Sequence, residues 1–375
     1  MLAGEQSAPR ISTKYSKMSG HNSCSQRTDL LNPILCCVFW LFAESMSTAI
    51  LEAPRVEAKW IIGKRDDLMW FVGAPLVGYV ALAIMLTARN WGYPLYVVWW
   101  SFINTPHIFG TASRTYFDST ERQKLSRLLW LIVPLTLIPI AAVKAGLIVP
   151  LFIVSVFWGN WHVAKQHFGF VMLYKRKNGE SSDLSIDKWF LLLSQSLPFV
   201  MFVLWYLSIP VFGREILGAA IIVQLILLGI YVHRQIIKYR AQEEMNWPKL
   251  MLLALITPLH WLAFFVASRD VVNGMFVFSI ATNIGHALQY HRLTWFHNRN
   301  RFQGQDGFSG LLSKNVAFYY LSGFALYLIF VGSAQFFPSV GSELILTGPT
   351  FMHYILDTKI WRVRGDRELA QALRL

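Results

Sequence analysis

Imidazole is the commonest protein ligand for iron, zinc and copper, and six of the ten histidines in this chain fall in four short motifs. TPHIFGTASRTYFD carries His107, GNWHVAKQHFGF carries His162 and His167, NIGHALQYHR carries His286 and His291, and FMHYILDTKIWR carries His353. On a helix, residues four apart share a face, which pairs His353 with Asp357, His162 with Gln166 and His286 with Tyr290. The pairs His162/His167 and His286/His291 are five apart, about 140° round an ideal helix. Both members reach one centre only if the helix is distorted or the centre lies between them. Histidine and carboxylate projected inward from several helices build metal centres in bundles. The expected ligands are His107, His162, His286 and His353, with Asp357, His167 and His291 completing the shell of a second metal; seven groups are more than one ion takes and suit two. A single histidine in a membrane more often hydrogen-bonds between helices, the role expected of His260, His233 and His297.

The elements that must position these residues are transmembrane helices. Hydrophobic residues make up 54% of the 375 and charged residues 15%, against roughly 25% charged in a soluble domain. Mean hydropathy is +0.41. Ten apolar segments span 68–88, 94–113, 128–143, 147–173, 189–208, 216–234, 249–268, 272–291, 315–336 and 341–358. Backbone groups in lipid must be paired internally, so each is expected to be a helix. Alternate connections, together with both ends of the core, carry 25 Lys and Arg; the intervening ones carry only Arg89, Lys144, Arg214 and Arg269. Unbroken alternation gives an all-α polytopic bundle of ten helices with both termini cytoplasmic. The same pattern explains the net charge of +13 without nucleic acid as a partner. At about 1.5 Å per residue, His107, His167, His286 and His353 lie within about 3 Å of one depth, near the cytoplasmic ends of their helices.

Residues 1–45 differ from the rest. Their one apolar run, LLNPILCCVFWLF, is 13 residues, short of the roughly 20 a span needs, so they are expected to be an extension outside a single domain, 46–375. All three cysteines, Cys24, Cys36 and Cys37, sit there, leaving no thiol for disulfides, catalysis or metal in that domain. Arg114, Tyr116 and Tyr290 are the candidate catalytic groups beside the histidines. Arg114 is suited to holding a lipid headgroup, pairing with Asp118 or snorkelling to the interface. Asp66 and Asp67 are suited either to orienting a histidine or to capping a helix. Asn104, Asn160 and Asn283 stand close enough in sequence to orient the histidines, and Trp158, Trp161, Phe168 and Trp295 to shape an entry. The stretch 292–314 reads as a surface connection.

The H-x4-H pairs, the separate histidines and their placement resemble the histidine boxes of integral-membrane non-haem iron enzymes: lipid desaturases, hydroxylases and, more loosely, membrane carotenoid dioxygenases. The likeness covers the motif regions, and the HxxHH box of the desaturases and hydroxylases is absent. It implies one or two non-haem irons that activate dioxygen against a C–H or C=C bond of a membrane lipid or isoprenoid. No dinucleotide fingerprint is present, so electrons would come from a separate donor. Zinc and haem are the other cofactors such histidines serve. The contrasting expectation is a proton- or metal-coupled transporter with a histidine relay; the histidines, however, lie near one surface rather than the midplane, where transporter sites form. The simplest location for the enzyme is a bacterial cytoplasmic membrane.

Overall fold

Each of the ten apolar segments forms a helix. These are α1 (Lys64–Thr87), α2 (Gly92–Trp99, continuing through a π turn, Trp100–Asn104, into Thr105–Thr115), α3 (Ser126–Lys144), α4 (Ile148–Lys177) and α5 (Leu184–Tyr206). They are followed by α6 (Arg214–Arg240), α7 (Trp247–Ala267), α8 (Gly274–Phe302), α9 (Val316–Ala334) and α10 (Ser342–Ile360). The computed structural model describes residues 58–209, 213–270, 272–334 and 342–375, and among them there is no strand. The expected extension at 1–45 lies outside the described residues. Among the described residues six helices, α1 and α3 to α7, are long and apolar enough to cross a membrane alone; α9 joins them if counted with the short helix Gly307–Lys314, to which it is bent by 116°. The chain is a multi-pass membrane protein. The three that fall short, α2, α8 and α10, carry four of the six motif histidines, whose polarity lowers their hydropathy.

Helix α8 is the inner member, packed on α1, α2 and α7. Its approach to α1 depends on missing side chains: a Cβ at Gly78 would collide with the Ala281 carbonyl oxygen, and one at Gly285 would fall 3.0 Å from Pro75. In lipid, where apolar surface gains nothing by leaving the solvent, such small-residue contacts carry helix association.

The basic segments meet at one end of the bundle. Lys59 exchanges hydrogen bonds with Asn178, Asp66 pairs with Arg292 at 2.8 Å, and Arg301 bridges Asp118 at 2.7 Å and Glu368 at 2.9 Å. The tightest group ties α4 to α7. Asp187 meets Lys175 at 2.5 Å and Lys249 at 3.1 Å; Glu180 meets Lys249 at 2.7 Å and Lys238 at 2.9 Å; Asp183 meets Lys238 at 2.9 Å and Arg234 at 2.8 Å. Buried charges persist only when paired in this way.

Residues 292–302 are not a surface connection: α8 continues to Phe302, because no Gly or Pro interrupts it and His297, Asn298 and Phe302 find buried packing. Asp66 and Asp67 do not orient histidines. Asp66 holds Arg292, and Asp67 accepts from the backbone N–H groups of Ile61 and Ile62 at 2.7 and 3.0 Å.

The ion group sets a pH dependence. Burial alone would raise the pKa of Glu180, but Lys249, Lys238 and Asn246 outweigh it and hold the carboxyl down to about 2, from an ordinary 4.5. A lowered folded-state pKa contributes stability that is complete above 4.5 and lost as pH falls toward 2. We expect the thermal midpoint in detergent to vary with pH alike in wild type and Glu180→Gln between about pH 5 and 8, and the wild-type decline below about pH 4.5 to flatten in that variant. Asp187→Ala, which leaves the buried ammonium groups of Lys175 and Lys249 to share Glu180, should lower the same thermal midpoint, at a cost of about 3 kcal/mol.

Candidate metal centre

Four helices supply the centre, and local sequence sets the angle of each histidine. On α2, Pro106 lacks an N–H, and the widened π turn Trp100–Asn104 just before it absorbs the break. The extra residue in that turn rotates everything after it by about 100° relative to an uninterrupted helix, which brings His107 round to α8 and α10. On α4, His162 and Gln166 share a face, and Gln166 Nε2 donates to the His286 carbonyl at 2.9 Å, tying α4 to α8 at that level.

His107, His162, His286 and His353 are all buried, and one ring nitrogen from each lies within 4.8 Å of those of the others. Successive ring centroids are 4.7 Å (His107–His286), 5.1 Å (His286–His162), 4.6 Å (His162–His353) and 4.5 Å (His353–His107), with 6.4 Å across from His107 to His162. Nε2 of His107 and of His353 stand 2.8 Å apart. His162 Nε2 and His286 Nδ1 have no hydrogen-bond partner. Unpaired imidazole nitrogens buried together are costly unless something accepts their lone pairs. A single metal ion fits that role: with bonds of about 2.1 Å its opposite ligands stand about 4.2 Å apart, so small side-chain shifts close the group.

A hydrogen-bonded group fixes the orientation of His353. Asp357 Oδ1 is 2.8 Å from Thr111 Oγ1 and 2.8 Å from the Tyr290 hydroxyl, the two hydroxyls also meet each other, and Thr111 Oγ1 is 2.6 Å from His353 Nδ1. With Nδ1 held in this group, His353 Nε2 is the nitrogen turned toward His107. Carboxylates commonly hold metal-ligating histidines in this indirect way. Tyr290 also packs its ring 4.4 Å from that of His107.

The remaining expected ligands lie around this group, engaged elsewhere. His167 faces α5, where the Gln195 amide lies 2.9 Å from its Nδ1. His291 faces α2 and α9: Nε2 donates to the Ile103 carbonyl at 2.9 Å, and Nδ1 is 3.2 Å from the Tyr319 hydroxyl. Asp357 is 3.5 Å from His353 Nδ1, the nitrogen turned away from the cluster. Tyr116 donates to the Leu129 carbonyl at 3.2 Å and packs toward α3. Arg114 is buried with its guanidinium 4.0 Å above the Trp361 ring, and Asp118, its expected partner, is taken by Arg301. Asn283 bonds within its own helix, to the Ser279 carbonyl. Thr111 was not singled out from the sequence, although it lies four residues after His107 and therefore on the same face.

Away from the basic end, an apolar cleft of about 290 Å³ opens between α3, α4 and α10, lined by residues that include Leu135, Pro139, Leu151, Trp158 and Phe351. Trp158 stacks on Phe351 at 4.7 Å and lies 5.8 Å from Tyr354, whose ring stacks on His162 at 4.3 Å. An aromatic wall thus runs from the cleft to the histidines.

Compared with known proteins, the chain matches no family model, no curated protein and no solved structure, so its likeness to the histidine-box enzymes rests on the motif residues alone.

Proposed function

We propose that this protein is an integral-membrane oxidoreductase with a single non-haem iron held by His107, His162, His286 and His353, acting on a bilayer-soluble lipid or isoprenoid. The observation that carries the reading is the convergence of four buried imidazoles from four helices within 4.8 Å. We read the ten helices as ten crossings, with the end where the basic segments meet, and both termini, in the cytoplasm of a bacterium. Two ions were expected from the number of candidate ligands; the engagement of His167 and His291 by protein partners favours one.

The donor set favours iron over zinc. Four protein ligands close a tetrahedral zinc site completely, whereas an iron that accepts six ligands keeps positions free for chemistry. Bound iron would supply dioxygen activation against a C–H or C=C bond. The chain's own groups do the rest: Asp357 and Thr111 hold His353, Tyr290 stands with its hydroxyl on Asp357 as a local proton store, and the aromatic wall excludes water while guiding an apolar chain. Electrons, where the reaction needs them, come from a separate donor.

Metal analysis of purified variants separates ligands from neighbours. About one iron per chain is expected in the wild type, below a tenth of that in His162→Ala or His353→Ala, and near wild-type loading in His167→Ala and His291→Ala. Asp357→Asn should still bind iron, with affinity lower by about 10- to 100-fold. Full retention of iron in His162→Ala and His353→Ala would refute the assignment.

Activity is tested by incubating iron-loaded protein in proteoliposomes with membrane lipids and isoprenoids, ¹⁸O₂ and a chemical electron donor. Mass spectrometry should find ¹⁸O-labelled or desaturated lipid that depends on His353. An iron-replete protein that forms no such product but moves protons or metal ions across the vesicle would favour the transporter instead.

A further inference from the structure

Arg114 is 3% exposed, and its Nε and Nη1 have no hydrogen-bond partner. Among the described residues no carboxylate lies within the 4.0 Å of an ion pair with it. The acids that might have served are engaged. Asp118 accepts from Arg301, and Asp357 is turned toward Thr111, Tyr290 and His353. What covers the guanidinium on one side is the Trp361 ring at 4.0 Å, and the indole Nε1 of Trp361 is itself buried without a partner. His297 stands 6.0 Å from the same ring, with its Nδ1 on Asn298. A buried cation with idle N–H donors is costly unless an anion meets it, and a guanidinium suits a carboxylate or phosphate.

The position relative to the histidines gives this cation a use. Arg114 follows His107 by seven residues on α2, about 10 Å along the axis. On the α10 side, Phe351 at the apolar cleft and Trp361 at the guanidinium bracket His353, about 15 Å apart along the chain direction. The four-histidine centre therefore lies between an apolar cleft and a buried cation. We propose that Arg114 binds the anionic head of a single-chain amphiphile, a carboxylate or phosphate ester, whose hydrocarbon chain passes the histidines toward the Trp158–Phe351 cleft. Binding of the head stands on these contacts alone; what happens to the chain rests on the metal reading above.

The test is equilibrium dialysis of the full-length, metal-loaded protein in detergent against octanoate, octanol and inorganic phosphate, with metal content measured on every sample. Octanoate should bind at about one per chain, and Arg114→Met should weaken it by at least tenfold, the usual effect of losing a charge-assisted bond. Arg114→Lys should recover part of the affinity, and octanol should bind the wild type and Arg114→Met alike. Octanoate binding that is indifferent to residue 114 overturns the proposal. Phosphate binding as tight as octanoate overturns the amphiphile, since a free oxyanion would then be the ligand. Should Arg114→Met fail to fold, Arg114→Lys and Trp361→Leu carry the same comparison. Residue-114-dependent octanoate binding by a protein that holds no metal would keep this site while removing the metal assignment.

Discussion

Everything at the centre of this bundle follows from the cost of leaving imidazole nitrogens unpaired away from water. Of the four rings that meet there, those of His107, His162 and His286 each keep a nitrogen without a hydrogen-bond partner, while their neighbours His167 and His291 are hydrogen-bonded beside the same site. A chain able to bond those two histidines had the means to bond the other three. That it presents them to each other, with Thr111 and Asp357 holding His353 Nδ1 on the far side, is the arrangement a cation requires.

The surrounding structure is arranged to tolerate this polarity. Helices α2, α8 and α10 are too polar to stand alone in lipid, and α8 is enclosed by α1, α2 and α7. Glycines at 78 and 285 let α1 close over it. At the basic end, the Lys175–Glu180–Asp187–Lys249 group fixes α4, α5 and α7 to one another. That anchors α4, and hence His162, by ion pairs that lipid cannot replace.

Much of this was legible in the sequence, for physical reasons that also mark the limits. Each of the ten apolar segments read from hydropathy coincides with a helix, and six of those helices are long and apolar enough to cross a membrane alone. Depth along those helices located the histidine layer, and the roughly 140° between His162 and His167 set one of them back; His107, His162, His286 and His353, the four expected to bind first, are the four that meet. What spacing could not give is where the others go: His162 shares a face with Gln166, which bonds the His286 carbonyl, whereas His167 meets Gln195. The π turn before His107 was invisible for the same reason, since spacing counts assume a uniform 3.6 residues per turn. Residues 292–302 were misread because polarity suggests a surface, yet His297 and Asn298 are buried against α2 and Trp361. Arg114 was noticed for its type and position, but its lack of a carboxylate partner needed the three-dimensional arrangement.

The central claim is that one metal ion is bound by four imidazoles, and X-ray absorption at the edge of the metal that copurifies with the protein tests it most directly. The account predicts a first shell containing four imidazole nitrogens at about 2.1 Å, with the outer-ring scattering characteristic of histidine and with open positions filled by light atoms. A shell dominated by carboxylate oxygen, a porphyrin signature, or a short metal–metal vector would contradict it.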